Sequence, residues 1–568
     1  MLEAVRTLKG GLPILTALYI AWLAPSAGAA TNTVTSNLDD GSSGTLRQMV
    51  STSAPGDTIN FSANLSGSTI LLTNGQIAFY GSLTVDASAL PAGIQINGNS
   101  STRIFWVDSG EVVLNSLRLS NGVAIGSGAI QVGAPMVGGA IYNNTYGTLT
   151  LINCTLSGNQ VTGGNGQGGT NTVYPIGGNG GSGGLGGGGA IYNIGWLNLT
   201  NCTLSGNQAT GGSGGSGGRS QGTGGVGGPG GLGGGGAIYN DNGVTLVNCT
   251  LYGNQVTGGD GGGGGVGFYK MGNGGNGGAS MGGAIYNSGG LNLINCTLFN
   301  NQGSHGGTGG SALGFSYPPP DGWTVLSGVD GTTGQDVGGG IYNQSAMALT
   351  SCTLSSNSAS NGGGIYTTYG TTELTNCIVA NNSVPPGVSG ADINNSSTLS
   401  YGGANIAESV TNASGTISGT TPINADPDLA PPGNYGGPTL TMPLLPGSPA
   451  IDAGDDFLTN SFTTDQRGYP RLAGLHVDIG AVEGVYSASG PGQLTAAYQP
   501  AKGGFQLSFT NLPDANFPVF ATTNANVPVS LWPRIGFATE TPAGSGRFQF
   551  NDPGISITPQ RFYLIRSP

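Results

Sequence analysis

The sequence contains an internal repeat whose unit is too short to form a domain of its own. Four stretches open with GGAIYN, at Gly138, Gly188, Gly235 and Gly282, and two related stretches open with GGGIY at Gly338 and Gly362. The isoleucines that align in the six units are Ile141, Ile191, Ile238, Ile285, Ile341 and Ile365. Such a unit buries its apolar side chains only by stacking on its neighbours, so the repeat predicts a solenoid.

Inside each unit the apolar residues alternate, skip one position and alternate again. Leu197 and Leu199 are followed by Cys202 and Leu204, with Asn201 at the break. Alternation is typical of a half-buried strand, and asparagine tolerates the left-handed backbone of a tight bend. The shortest repeat distance is 24 residues, and no part of the repeat region has a helical period. These features predict an all-β chain whose units are coils of a parallel β-helix.

All six cysteines fall at this one point of the repeat: Cys154, Cys202, Cys249, Cys296, Cys352 and Cys377. Stacked coils place equivalent side chains about 4.8 Å apart and pointing the same way. A disulfide framework is the alternative, but a disulfide requires Cβ atoms about 3.8 Å apart on converging vectors. Metal ligation has no support, because no CxxC or Cys/His spacing occurs. We therefore predict an inward ladder of free thiols, which behave as small buried hydrophobic groups.

Glycine, with 113 of the 568 residues, is concentrated in insertions between the units, at 163–187, 211–234, 258–281 and 303–337. These could be additional coils or loops. A coil must supply several inward apolar side chains, and the second insertion offers only one Val and one Leu. We therefore expect glycine-rich loops that leave the helix at one corner. Insertions of this kind map to one face of a repeat protein, often the binding face.

The insertion at 303–337 carries the candidate functional side chains. Tyr317 and Trp323 are candidates for stacking on sugar rings, and the alternative is that they pin the insertion to the coils. Three acids of this insertion are the candidates for catalysis if the chain is an enzyme: Asp321, Asp330 and Asp336. A glycosidase needs two positioned carboxylates, and the repeat region has few acids elsewhere.

The chain divides into five parts by composition. Residues 1–29 read as a signal peptide, because Arg6 and Lys9 precede a short apolar run and Ala27–Ala29 fits a cleavage site. The other predicted parts are an N-terminal cap with irregular coils at 30–122, β-helix repeats at 123–422, a turn-rich capping segment at 423–484 and a small antiparallel β domain at 490–568. No transmembrane span is expected after signal removal, since no other apolar segment approaches 20 residues.

Charge excludes one class of partner. The net charge is −12, and the 14 Lys and Arg residues do not cluster, which argues against nucleic-acid binding. Acids are concentrated in 423–484, where they serve either Asx turns and Arg–Asp pairs or a calcium or catalytic cluster. We favour the structural role. The segment 258–265, GGDGGGGG, is similar to a calcium-binding nonapeptide but occurs once. We expect no cofactor, with structural calcium as the one alternative.

Two stretches resemble known families. The pattern GGAIYN followed by LTLxNCTLSGNQ resembles the repeats of polymorphic outer-membrane proteins, and the segment DPDL…GSPAIDAG…TDQRG…DIGAVE resembles the choice-of-anchor Q domain. This resemblance covers roughly 32–484 and implies a right-handed parallel β-helix displayed outside the cell. It brings no catalytic residues with it. No sortase signal or terminal hydrophobic helix is present in the sequence.

The sequence therefore favours a non-catalytic secreted or cell-surface protein that acts in adhesion or binds polysaccharide or cell-surface matrix. One alternative is a polysaccharide lyase or glycoside hydrolase of the β-helix type, since the same fold carries such enzymes. The other is a purely structural surface spacer. The oligomeric state, the ligand and the means of attachment do not follow from the residues.

Overall fold

A computed structural model describes residues 29–125, 136–312 and 326–484, then residue 527 and six segments at 495–499, 504–510, 517–524, 532–541, 547–552 and 561–565. Residues 1–28 of the predicted signal peptide lie outside the described residues. Tyr317, Asp321 and Trp323 also lie outside them. The described part is a parallel β-helix followed by a small antiparallel sheet, which confirms the predicted fold class.

Each coil of the β-helix runs through two adjacent strands of one sheet, turns a corner and enters a second sheet. We call these sheets A and B. The first strand column of sheet A comprises Ile77–Phe79, Ile191–Asn193, Ile238–Asn240, Ile285–Asn287, Ile341–Asn343, Ile365–Thr367, Ile393–Asn395 and Val410–Asn412. The second column comprises Thr31–Val34, Thr58–Phe61, Leu83–Asp86, Trp196–Thr200, Gly243–Val247, Gly290–Ile294, Ala346–Thr350, Thr371–Thr375, Thr398–Tyr401 and Thr416–Gly419. Two long strands, Phe105–Asn115 and Ile141–Ile152, span both columns.

Sheet B forms the next face of the coils. Its strands are Thr69–Leu71, Ile94–Asn97, Leu117–Ser120, Thr155–Ser157, Thr203–Ser205, Thr250–Tyr252, Thr297–Phe299, Thr353–Ser355, Ile378–Ala380 and Ile406–Ala407. Two five-stranded sheets, C and D, occur only in the coils near the insertions. Sheet C comprises Val123–Ile125, Gln160–Thr162, Gln208–Thr210, Gln255–Thr257 and Gln302–His305, and sheet D comprises Met136–Val137, Gly186–Gly187, Gly233–Gly234, Ser280–Met281 and Asp336–Val337.

Left-handed residues make the corners of the coils. Asn201 has φ 55° between sheets A and B, Gly206 has φ 59° after sheet B, and Gly235 has φ 62° before the next coil begins. The corner at Asn201 recurs at Asn153, Asn248, Asn295, Ser351 and Asn376, all with φ between 50° and 54°. Asparagine adopts this conformation more readily than other residues with a Cβ, which explains its place at the break in the alternation.

Equivalent residues stack in register from coil to coil. Ile191 pairs with Ile238, which pairs with Ile285, and Leu204 pairs with Leu251 in the same way. The aligned isoleucines and all six cysteines are buried with at most 1% of their surface exposed, and every cysteine is a free thiol. Burial raises the pKa of the Cys249 thiol well above its usual range.

Two ladders of buried asparagines run beside the apolar ones. In the first, Asn159 Nδ2 donates to Asn207 Oδ1 at 2.9 Å, and the same bond repeats from Asn207 to Asn254. This ladder ends where Asn382 donates to Asp392 at 2.9 Å, a carboxyl whose pKa is raised by burial. The second ladder joins Asn143, Asn193, Asn240, Asn287 and Asn343. Apart from Asn143 Oδ1, which starts the second ladder and has no partner among the described residues, these amides bond to neighbouring coils. The polar groups are therefore buried at little cost and hold the register.

The thiol ladder yields a direct test. In the native protein we expect no reaction of the cysteines with a thiol reagent, because none is accessible and burial suppresses the thiolate. All six thiols should react after unfolding in denaturant, as counted by mass spectrometry of the alkylated chain. A native protein that reacts at even one of these sites, or an unfolded unreduced protein with fewer than six free thiols, would contradict the ladder.

The glycine-rich insertions leave the coil at one corner, as expected, but they are regular structures. Each insertion runs outward between sheets C and D, turns and returns beside itself. The outgoing arms are 163–171, 211–219, 258–266 and 306–312, and the returning arms are 177–185, 224–232, 271–279 and 328–335. Backbone hydrogen bonds recur at every third residue, the period of a polyproline II helix. We call the four stacked pairs of arms the glycine sandwich.

Most of the hydrogen bonds that hold the arms together join backbone groups. Within the first pair, the amides of Gly181 and Gly184 donate across to the outgoing arm at Gln167 O and Gly164 O, both at 2.7 Å. Between pairs, the Gly166 amide donates to Ser213 O at 2.7 Å. A polyproline II helix has no internal hydrogen bonds, so its backbone groups are free to bond to several neighbours. Stacking on the coils therefore gives order to a sequence that has few apolar side chains.

Close packing of the arms requires glycine at two of every three positions. A Cβ at Gly215 would collide with Gln167 O, and a Cβ at Gly228 would collide with Gly181 O. The third position points outward and carries the side chains, among them Ser216 and Val226. Several of these side chains bond to the next layer, as where Asn165 Oδ1 accepts from the Ser213 amide at 3.0 Å.

In the first and fourth pairs of arms, the side on which no further arm is stacked carries residues other than glycine. Gln167 and Thr170 in the first pair stand where the second pair has Gly215 and Gly218, which pack against the pair below. Asp330 and Thr333 in the fourth pair stand where the third has Gly274 and Gly277, which pack against the pair above. These side chains block the addition of another glycine-rich arm, as polar side chains do at an exposed sheet edge.

A matched pair of substitutions tests the glycine sandwich. Gly215→Ala places a methyl group against a backbone carbonyl and should destabilise the arms by about 1–3 kcal/mol or more. Ser216→Ala, at the adjacent outward position, should have little effect. The measurement is amide hydrogen exchange over 211–232, which should be faster only in Gly215→Ala. Equal exchange rates in both variants would mean that the arms are not packed in this way.

The N-terminal helix and the segment 423–484 pack against the β-helix in different ways. The N-terminal part contains the helix Leu46–Thr52, which is capped by Thr45 and packs into the main core through Leu46 and Val50. The segment 423–484, which we expected to cap the opposite end, lies along the outer side of sheet B. Its Gln466 side chain is fully buried and reaches the hydroxyl groups of Thr250, at 2.8 Å, and Thr297, at 2.6 Å.

The C-terminal segments form a separate six-stranded antiparallel sheet, as predicted. Its strands are Thr495–Gln499, Gly504–Thr510, Phe517–Thr522, Arg534–Glu540, Arg547–Asp552 and Phe562–Ile565. The buried face of this sheet packs with Ala430 and Tyr435, so the segment 423–484 contacts both parts of the chain. Among the described residues, no helix has the length and apolar composition needed to cross a membrane.

Candidate functional site

The outward face of the second strand column of sheet A is the long side of the β-helix that no other described element covers. From Thr250 onward, sheet B lies beneath the segment 423–484, and sheets C and D carry the glycine sandwich. A shallow groove of about 560 Å3 runs along the open face across successive coils, from Trp196 to Thr398. Five coil spacings of about 4.8 Å make it about 24 Å long.

Trp196 lies at one end of this groove and is 60% exposed. In the next coil Gly243 occupies the equivalent position, and a Cβ there would collide with the Trp196 ring at Cε3 and Cζ3. The indole therefore lies over the glycine and continues the floor of the groove. The backbone of Trp196 is held by the second asparagine ladder, through a 3.0 Å bond from Asn143 Nδ2 to its carbonyl.

Small residues form the floor of the groove, and polar residues line one side of it. Gly243 is followed in later coils by Gly290, Ala346 and Thr371. The parallel row two residues further along each strand supplies Thr245, Asn292, Glu373 and Ser400 to the lining. One planar amide, several hydroxyl groups and one exposed aromatic ring on a flat floor can bind a chain of sugar units, which presents hydroxyl edges and apolar faces.

A column of tyrosines on the first strand column of sheet A has a structural role. Tyr142, Tyr192, Tyr239, Tyr286, Tyr342 and Tyr366 stack with ring centroids 4.3–6.0 Å apart. Their rings pack with Leu232, Met281 and Val337 at the base of the glycine sandwich. Burial raises the pKa of Tyr192 to about 12. This column joins the sandwich to the coils and is only partly accessible to a ligand.

The two predicted catalytic acids that the structure describes lie apart. Asp330 is exposed on the returning arm, where it accepts from the Ala312 amide at 2.6 Å. Asp336 is buried, and its carboxylate accepts from the hydroxyl groups of Ser280 at 3.1 Å and Ser360 at 2.9 Å. Six residues of extended chain separate them by about 19 Å. That separation exceeds the 5–9.5 Å of a glycosidase carboxylate pair, and Asp336 holds strands of adjacent coils together.

The acids of 423–484 bind backbone amides and arginines. Asp465 accepts from Arg467 at 2.7 Å, and Asp478 accepts from the Asp452 amide at 2.7 Å. Glu483, whose pKa burial raises to about 7, accepts from the Asp478 amide at 2.9 Å. Within the described ranges, no three His, Cys, Asp or Glu side chains are grouped as metal ligands. The contacts are those of turns tied down by carboxylates.

Sequence reasoning did not identify Trp196 as a site residue. The signal was present, because Trp196 occupies an outward strand position at which the next two units have glycine. The aromatic residues predicted instead, Tyr317 and Trp323, belong to an insertion. Neither the comparison with protein-family models nor the comparison with curated proteins finds a match for this chain.

Proposed function

We propose that this chain is a secreted or surface-displayed protein that binds polysaccharide through the groove of sheet A without turning it over. The observation that carries the proposal is the exposed Trp196 ring, lying over Gly243 at the end of a flat groove with hydroxyl and amide groups along its side. Exposed aromatic surface beside convergent polar groups is typical of a binding site. The repetition of the coils suits a ligand that is itself a repeating polymer.

The charge of the groove selects a class of polysaccharide. Glu373 is the one charged residue in the lining, and no Lys or Arg lines the groove. A polyuronate would place carboxylates beside Glu373 with no cation to compensate. The favoured ligand is therefore a neutral polysaccharide. A single carboxylate also supports binding over hydrolysis, which uses two carboxylates about 5–9.5 Å apart.

Display outside the cell is the second part of the proposal. It is supported by the apolar run at 11–23 that follows Arg6 and Lys9, and by the small residues before position 30. The resemblance of 426–483 to the choice-of-anchor Q domain, and of the repeats to polymorphic outer-membrane proteins, points in the same direction. The contacts of Gln466 give that segment a definite role here, which is to hold 423–484 against sheet B.

Binding to a panel of insoluble polysaccharides, measured by co-sedimentation of the purified protein, tests this proposal. We expect binding to at least one neutral glucan, mannan or xylan and none to polyuronates. Trp196→Ala should weaken binding at least about ten-fold, since truncation of an aromatic anchor costs about 2 kcal/mol or more. Gly243→Ala should also weaken it by displacing the ring. Phe268→Ala, which removes an exposed aromatic ring far from the groove, is the matched control.

Two results would overturn the proposal. The appearance of new reducing ends or of unsaturated sugar products would show turnover and return attention to the acids of the chain. Absence of binding across the panel, or binding that Trp196→Ala leaves unchanged, would remove the groove as a binding site. The structural-spacer alternative would then account better for the open face of sheet A.

A further inference from the structure

The glycine sandwich ends in a row of turns that we call the tip ridge, formed by residues 173–176, 220–223, 267–270 and Leu326. The turns are stacked in register: Ile176 pairs with Thr223, Thr223 with Lys270, and Lys270 with Leu326. At about 3.1 Å per residue, a nine-residue arm places this ridge about 28 Å from the coils. Three described turns and Leu326, at a spacing of about 4.8 Å, give the ridge a length of about 14 Å.

Large apolar side chains project from the ridge into solvent. Tyr174 is 69% exposed, Ile176 58%, Phe268 57% and Leu326 63%. Tyr174 and Ile176 belong to the first turn and Phe268 to the third, and Leu326 pairs with Lys270 beyond it, so the apolar surface extends along the ridge. Contiguous exposed apolar groups at the furthest projection of a protein mark an interaction surface. Their backbone is held by the sandwich, so no ordering of a loop opposes binding.

The positive charges of the repeat region lie at the same place. Between residues 138 and 383 the only Lys and Arg residues are Arg219 and Lys270. Lys270 belongs to the tip ridge, and Arg219 immediately precedes it; both are exposed. Among the described residues of the fourth pair of arms, the nearest acid along the chain is Asp330, four residues beyond Leu326. Both cations of this part of the chain therefore lie on or beside the described turns of the ridge, although the chain as a whole carries a net charge of −12.

We propose that the tip ridge docks on the surface of an anionic phospholipid bilayer. Phe, Ile and Leu side chains would enter the boundary of the acyl region, and Tyr174 would lie at the level of the headgroups, where amphipathic rings are favoured. Arg219 and Lys270 would contact lipid phosphates while their apolar stems cover the surface beneath. The acidic body does not oppose this docking, because about 28 Å exceeds the Debye length of about 8 Å at physiological ionic strength.

This assignment is independent of the polysaccharide groove, which lies on another face of the β-helix. A neutral partner surface would satisfy the apolar groups and leave the placement of both cations unused. A second copy of the chain would bring Arg219 and Lys270 against their own equivalents in a symmetric contact, which like charges disfavour. The combination of aromatic, aliphatic and cationic groups on one narrow, rigid ridge fits an anionic interface best.

Co-sedimentation of the purified protein with vesicles tests the assignment. One set of vesicles contains phosphatidylcholine alone, and the other contains phosphatidylglycerol and phosphatidylcholine in equal amounts. We expect binding only to the anionic vesicles, decreasing as salt is raised. Lys270→Gln should weaken binding about five-fold, because a cation near an anionic surface contributes about 1 kcal/mol. Arg118→Gln removes an exposed cation from sheet B and is the charge-matched control.

The apolar contribution is measured separately with the double variant Ile176→Ser and Phe268→Ser, which should abolish binding at every salt concentration. Trp196→Ala should bind vesicles normally, which distinguishes failure of this proposal from failure of the polysaccharide site. Circular dichroism and thermal unfolding confirm that each variant is folded. Absence of binding to anionic vesicles, equal binding to both vesicle types, or a dimer that sedimentation velocity shows to be lost in the double variant would overturn the assignment.

Discussion

The whole structure depends on parallel stacking of backbone at a spacing of about 4.8 Å. Coils of nearly identical sequence can stack only if each turns its corners in the same way, and left-handed residues such as Asn201 and Gly206 provide these turns. Once the corners agree, every inward side chain meets its own equivalent above and below. Leucine, isoleucine and cysteine then form apolar ladders, and asparagine forms ladders of amide hydrogen bonds. Register is therefore specified at many points in each coil.

The same stacking gives order to the glycine-rich insertions. An isolated pair of glycine-rich arms has almost no apolar surface to bury and a large entropy to lose, so it would not fold alone. Here each pair begins and ends on strands of sheets C and D that are already in register. The arms of successive coils are thereby held at hydrogen-bonding distance, and their backbone groups bond to one another. Glycine, which loosens most structures, is required because only a residue without Cβ permits this approach.

The two proposed binding regions lie on surfaces that this packing leaves open. Segment 423–484 occupies sheet B through Gln466, and the tyrosine column joins the sandwich to the coils. The groove that begins at Trp196 and the ridge that carries Lys270 remain exposed, on different faces and with different chemistry. A rigid rod with a polar, sugar-sized groove on one side and an apolar, cationic ridge on another can bridge two different surfaces. The proposed roles of the two regions are compatible for this reason.

The sequence alone determined the parts of the structure that repeat. The spacing of the isoleucines predicted the coils, and the alternation around Asn201 predicted the corner. The constant position of the six cysteines predicted the buried thiols. Each of these is a local pattern that recurs from coil to coil. The tertiary structure decided what arises between distant segments. The glycine arms are ordered by neighbours that include arms 47 residues away along the chain, as where the Gly166 amide donates to Ser213 O. Likewise, the groove exists because Gly243 lies beneath the Trp196 ring, and the path of 423–484 depends on Thr250 and Thr297, far back in the repeat. Local patterns carry no information about such contacts, since the residues that make them become neighbours only after the coils have stacked.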